Sequence, residues 1–284
     1  MKILYIDNKN YIHNADLHIE FISSLESNGF FNIVGYGDGS IKNLKTYIRI
    51  NKNIPTQLQE IINKYKPNAI LTYSSGSNIP ELYKWISDEL SKVDIPKFHI
   101  ATDYLRDGFI DERAKWFEYI GYSMVAFRHK TSFDYPLGVK KSLLPLSIDK
   151  NLYLSNITKN IKKQKVGFIG TSSKFPDLYV NRIMAMNALR KKNLLIETKY
   201  LKEVNRSQMM FGEHYVKFLT NNLLNLTCGG TCNYFTAKHL QIPAAYSMLI
   251  CTDIAELEYF PEDTYIKYNI NNLKKKLKTK KYFI

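Results

Sequence analysis

Residues 223–258 constrain the fold of this chain more than any other stretch. An apolar run (residues 223–226) leads to the glycine pair Gly229-Gly230. Then come a short helical segment, a Pro243-Ala244-Ala245 turn, a buried strand over residues 247–251 and a second loop rich in carboxylates. A glycine loop that runs from a strand into a helix N-terminus is a ready anion site, because free backbone N–H groups and the helix dipole converge there. Asp253 and Glu256 follow the next strand, at the edge where ligands collect in open α/β sheets. Strand, glycine loop, helix, strand and carboxylates together outline a nucleotide-diphosphate pocket. An ordinary βαβ unit with a glycine turn gives the same local pattern.

The rest of the chain repeats the alternation. Apolar runs at residues 3–6, 33–36, 69–73, 98–101 and 123–127 read as strands. Between them Leu17, Phe21, Ile22 and Leu25, and then Leu58, Ile61, Ile62 and Tyr65, recur at helical spacing. Strands alternating with helices predict a mostly parallel, doubly wound sheet. The pattern breaks after Leu146 into a polar, Asn- and Lys-rich stretch, and a fresh strand at 166–169 opens a second series of α/β units. The sequence therefore predicts an α/β protein with two Rossmann-like domains facing across a cleft. The expected division is 1–150 for an N-terminal, acceptor-side domain, 151–164 for a linker and 165–284 for a short C-terminal donor domain.

Charge sharpens this division. Residues 1–150 carry 19 Lys and Arg against 17 Asp and Glu, whereas residues 151–284 carry 21 against 9. A basic C-terminal half suits a pyrophosphate ligand, an anionic membrane surface or nucleic acid. A general enrichment in Lys, Asn, Ile and Tyr accounts for part of the excess. Six lysines fall between Lys274 and Lys281, and Ile270, Leu273 and Leu277 align as one apolar stripe. A final helix there would dock on the sheet or lie on a membrane surface. The N-terminal strand meets polar residues after six positions and is no secretory signal, and no apolar run is long enough to span a bilayer. The expectation is a cytoplasmic protein, with peripheral membrane contact through the Lys-rich C-terminus. Cys228, Cys232 and Cys251 are read as reduced thiols, because no further Cys or His pair stands at zinc-ligand spacing.

Two segments resemble the CgeB-like (spore-maturation-type) glycosyltransferase family, which is related to glycosyltransferase group 1 and has the GT-B fold. In KHLQIPAAYSMLICTDIAELEYF, Lys238 falls on the family's Arg and Gln241 on its Glu. Ile242 to Ala245 match directly, and Asp253 and Glu256 to Glu258 match the acidic end. Earlier, Lys165 to Thr171 followed by Arg182 and Leu189 resembles the strand, glycine turn and Arg-bearing helix that open the family's donor domain. The order of elements matches along the whole chain, but the specific resemblance spans about forty residues. It implies a glycosyltransferase that uses a nucleotide-diphosphate sugar as donor substrate.

Such a site needs a diphosphate cradle, a ribose partner and a group for the acceptor proton. Gly170-Thr171 and Gly229-Gly230-Thr231 can offer unobstructed backbone N–H groups. Arg182 and Lys238 can offset charge developing on the leaving diphosphate. No Asp-x-Asp, His-x-His or His-Glu-x-x-His motif occurs, so the expectation is a metal-independent reaction with no cofactor. Gln241 departs from the family's Glu, and Asn233, eight residues upstream, stands where retaining relatives carry another acid. Glu256 or main chain would then grip the ribose. In the N-terminal half, Asp103 follows the strand at 98–101 and is the candidate base; as a bland alternative it caps the next helix. His13 and His18 are weaker candidates, and His99 reads as a hydrogen-bonded core residue. Phe211, Tyr234 and Phe235 read as core or as base-stacking groups.

The favoured function is transfer of a sugar to a hydroxyl on a glycan or glycoprotein. One alternative is a phage-type DNA glycosyltransferase, whose binding would fall steeply with salt. Another is a degenerate GT-B module that binds a nucleotide or partner without transfer.

Overall fold

The computed structural model describes residues 1–6, 21–22, 25–29, 31–37, 44–49, 57–75, 83–102, 110–133, 136–144, 146, 148, 150–155, 163–170, 179–197, 212–229 and 234–268. The chain divides into two compact units, Met1–Pro145 and Leu146–Ile284.

The first unit is built on a seven-stranded sheet. Its strands are β1 (Lys2–Ile6), β2 (Asn32–Gly37), β3 (Thr46–Arg49), β4 (Ala69–Ser75), β5 (Lys97–Thr102), β6 (Met124–Phe127) and β7 (Lys141–Leu143). They lie in the order β3-β2-β1-β4-β5-β6-β7, and every pairing is parallel. Among the described residues it carries α1 (Leu58–Tyr65), α2 (Ser87–Lys92) and α3 (Ile110–Ile120), with a single helical turn at Lys130–Phe133. Both faces are buried, as a parallel sheet requires. Leu4 and Ile6 of β1 join one apolar cluster, and Ile3 and Tyr5 join another. The five apolar runs read from the sequence are the five inner strands. The outer strands β3 and β7 are half-exposed and mixed in composition, so they leave no apolar run to read. His99 on β5 lies buried, with its two ring nitrogens each 2.7 Å from a hydroxyl, Thr72 Oγ1 and Ser74 Oγ.

The second unit has five parallel strands: β8 (Lys163–Phe168), β9 (Leu195–Glu197), β10 (Asn222–Leu226), β11 (Met248–Cys251) and β12 (Tyr265–Lys267). Their order is β12-β11-β10-β8-β9. Its helices are α4 (Lys150–Ser155), α5 (Val180–Arg190), α6 (Gly212–Thr220) and α7 (Ala237–Ala244). Part of the stretch that reads as linker is thus structured. Tyr153 of α4 is buried against Val216 and Leu219, and this anchorage outweighs the polar surroundings. Gly167 in mid-strand is needed because a Cβ there would overlap the Asn222 and Asn225 amides. Asn225 Nδ2 in turn donates to Ser247 Oγ at 2.7 Å, tying β10 to the residue before β11. Among the described residues no helix is long and apolar enough to cross a membrane.

Candidate functional site

The carboxyl edge of the second sheet gathers the cations that the sequence singles out. β8 ends at Phe168 and passes through Ile169 to Gly170, whose φ of +150° is strained for any residue with a side chain. Arg182, on the first turn of α5, is almost wholly buried. Its Nη2 donates to the Cys228 carbonyl at 3.2 Å, and its guanidinium lies 3.8 Å from the Tyr179 ring centre and 5.6 Å from that of Phe168. Two flat aromatic faces and a carbonyl therefore fix its plane.

Lys238 reaches the same point from α7. Its Nζ lies 6.0 Å from the Phe168 ring centre. A Cβ built on Gly170 would stand 2.6 Å from Lys238 Nζ and 3.8 Å from Arg182 Nη1. The missing side chain at 170 is thus what lets two cations converge beside bare backbone. The convergence is unfavourable for the free protein: burial, and then the Arg182 charge, push the Lys238 ammonium down to about 7, against a small opposing effect of Cys228. Asp253 does not relieve it, because it is exposed and pairs with Lys267 at 2.6 Å. A buried guanidinium and a half-buried lysine beside a glycine could receive a group with more than one negative charge.

α7 is aimed by its own N-terminus. The Thr236 backbone N–H donates to His239 Nδ1 at 3.0 Å, and the His239 ring stacks on Phe235 at 5.4 Å. The helix ends through Pro243 and Ala244 into Tyr246, which takes a left-handed φ of 51°. Gln241, one turn after Lys238, is buried, and its Oε1 accepts a 2.8 Å hydrogen bond from the Tyr215 hydroxyl of α6. Gly229 follows Cys228, and its carbonyl accepts from Tyr234 N–H at 3.1 Å.

Gly170, Arg182 and Lys238 thus come together, and Arg182 holds the carbonyl next to Gly229. Asp103, Thr171, Gly230, Thr231, Asn233, His13, His18 and Phe211 lie outside the described residues, as does the side chain of Glu256. Tyr234 and Phe235 are buried, and Phe235 also packs on Phe260 at 5.9 Å. Cys228 and Cys251 are free thiols, and burial pushes Cys251 up to about 12. Among the described residues no group of three His, Cys, Asp or Glu side chains could hold a metal ion.

Several neighbours of the site escape a reading by motif. Tyr179 and Phe168 flank Arg182; Tyr179 stands three residues before it, a spacing that could have marked the pair. Thr252 Oγ1 and Tyr268 Oη, just past the ends of β11 and β12, are buried hydroxyls without a hydrogen-bond partner among the described residues, so a bound molecule can satisfy them. In the first unit Arg128 and His129 follow β6 at the corresponding carboxyl edge, both buried, with Arg128 4.8 Å from the Phe21 ring centre. The same edge rule that selects Asp103 selects this doublet.

No protein-family model and no curated protein sequence matches the chain. Solved structures do. HepE of Anabaena in complex with UDP-glucose aligns with a TM-score of 0.67 at 11% identity, over 100% of this chain and 91% of that one. A sucrose-phosphate synthase from Thermosynechococcus elongatus aligns with 0.65 at 10%, over 99% and 89%. An α-glucosyltransferase in complex with UDP and a 13-mer DNA containing a central A:G mismatch aligns with 0.63 at 8%, over 97% and 88%. At these identities the likeness is one of fold: two Rossmann-like parallel-sheet units of the GT-B glycosyltransferase type.

Proposed function

We propose that this protein is a metal-independent glycosyltransferase of the CgeB-like kind, moving a sugar from a nucleotide-diphosphate donor to a hydroxyl on a glycan or glycoprotein. The observation that carries the reading is the convergence of Arg182 and Lys238 on Gly170 at the carboxyl edge of the second sheet. A sugar–diphosphate bond breaks as negative charge builds on the departing diphosphate. The Arg182 guanidinium and the Lys238 side chain, held in place on a partly desolvated edge and both charged once the donor is bound, stabilise that charge with little reorganisation. The complexes of the structural neighbours with UDP and UDP-glucose support a nucleotide-sugar donor.

In this reading Gly170, Thr171, Gly229, Gly230 and Thr231 supply backbone donors to the diphosphate. Gln241, Asp253 and Glu256 belong to the ribose side of the pocket, with the Gln241 carbonyl already engaged by Tyr215. Asp103, from the first unit, takes the acceptor proton. The test is a thermal-shift panel of UDP, GDP, CMP and ADP sugars with released nucleotide measured alongside. A donor should raise the melting temperature and be turned over in the presence of EDTA. Absence of any nucleotide-sugar binding contradicts the reading, and activity lost to EDTA and restored by manganese contradicts its metal independence.

A DNA acceptor is the second reading, favoured by the fold neighbour bound to UDP and DNA and by the basic second half. It requires duplex binding that weakens steeply with salt, whereas a glycan acceptor does not.

A further inference from the structure

Lys238 is half-buried, and the described groups that face its amine do not neutralise it. Arg182 faces it from α5, the Phe168 ring and the Gly170 backbone from the end of β8, and the Cys228 thiol from the end of β10. Tyr268, beyond β12, belongs to the same electrostatic cluster as Cys228, Cys251 and Arg182, and burial holds its phenol protonated. On α7 itself, His239 is turned back to Thr236. Asp253 and Lys267, at the ends of β11 and β12, neutralise each other. In the free protein the second positive charge is therefore disfavoured by burial and by a fixed guanidinium.

We propose that the site completes its second charge with its ligand: on the alkaline side of neutrality a nucleoside-diphosphate sugar binds together with one proton from solvent, which converts the Lys238 amine to an ammonium. This inference rests on the donor reading above. Its sign follows from charge counting. The diphosphate brings two negative charges to a point where Arg182 supplies one positive, so the field at Nζ reverses on binding. The displacement of Lys238 to about 7 makes the free amine largely uncharged at slightly alkaline pH, which leaves room for uptake. Donor affinity then depends on pH across the neutral range, although no histidine is used.

UDP-glucose is a suitable probe, because both its phosphates are diesters and stay ionised throughout. Calorimetric titrations at about pH 8 in buffers of different ionisation enthalpy should report uptake approaching one proton per site. Affinity should fall about tenfold per pH unit above neutrality and level off below about pH 6.5. Lys238→Arg, whose guanidinium stays charged, should bind without proton uptake and with a flat profile. A second measurement needs no ligand. In protein carrying ¹³Cε-labelled lysine, the resonance lost in Lys238→Arg should titrate near neutrality. Buffer-independent binding of UDP-glucose by the wild type, or a Lys238 resonance with the ordinary lysine midpoint, overturns the inference. Either result leaves the donor reading standing if the nucleotide panel is positive. A negative panel with a neutral Lys238 midpoint overturns the donor reading instead.

Discussion

The two units take polar groups out of water to opposite ends. In the first, His99 is enclosed by Tyr83, Trp116, Phe117 and Tyr122 and is satisfied by Thr72 and Ser74. Burial pushes its pKa down to about 3, so it is a neutral hydrogen-bonding piece of the core. In the second, Arg182 and Lys238 are brought within reach of one glycine with no described carboxylate between them. The first arrangement closes every bond internally and leaves nothing for a ligand. The second is electrostatically costly in the free protein, and in the proposed reading the cost is recovered when an anion arrives. Burial alone therefore does not mark a functional group; burial beside a like charge makes one a candidate.

The largest effect separating the regions is expected at Gly170. Gly170→Val would put a branched side chain onto Lys238 Nζ at a backbone conformation reserved for glycine. Nucleotide binding should vanish in a thermal-shift assay while circular dichroism still reports a folded chain. Retained binding would detach the donor from this edge.

Lys238→Met should act oppositely on two readouts. Donor affinity should fall by about 1–3 kcal/mol, the scale of a charge-assisted hydrogen bond. Stability should rise by about 1 kcal/mol or more near neutral pH, because a desolvated cation is removed. The unfolded lysine titrates at 10.5 and the folded one at about 7, so the unfolded chain binds more protons between those values. Wild-type stability gains with pH across that window, and the benefit of Lys238→Met should shrink accordingly in denaturant titrations.

In the first unit the pH dependence lies lower. The His99 ordinary value is 6.5 and its folded value about 3. Its contribution is fully present above 6.5 and is lost as pH falls towards 3, at about 1.4 kcal/mol per unit. Urea midpoints at about pH 5 should therefore lie below those at neutrality, and His99→Gln should remove that slope. An unchanged slope in this variant would mean that other groups set the acid limit.

The smallest effect belongs to Tyr215. Tyr215→Phe frees the Gln241 carbonyl and should change donor affinity or stability by about 1 kcal/mol.

How much of this the sequence reveals depends on how local the signal is. Inner strands are continuous apolar runs, and the register of α1 is written in Leu58 and Ile61, which are its buried residues. The edge strands and α4 are not written locally, because their partners decide them. At the site, Gly170, Arg182 and Lys238 are legible as residue types in a βα order. Their convergence is not, since it joins three elements across 68 positions of sequence. Gln241 shows the limit most plainly. Its identity is read from the chain, but its engagement by Tyr215, 26 residues away on another helix, is visible only in three dimensions.

A crystal structure of the protein with UDP-glucose tests the central claim most directly. The account expects both phosphates beside Gly170, with oxygen atoms within hydrogen-bonding distance of Arg182 or Lys238 and the backbone after Cys228. A diphosphate seated on the first unit, or on the second with no contact to either cation, would contradict it.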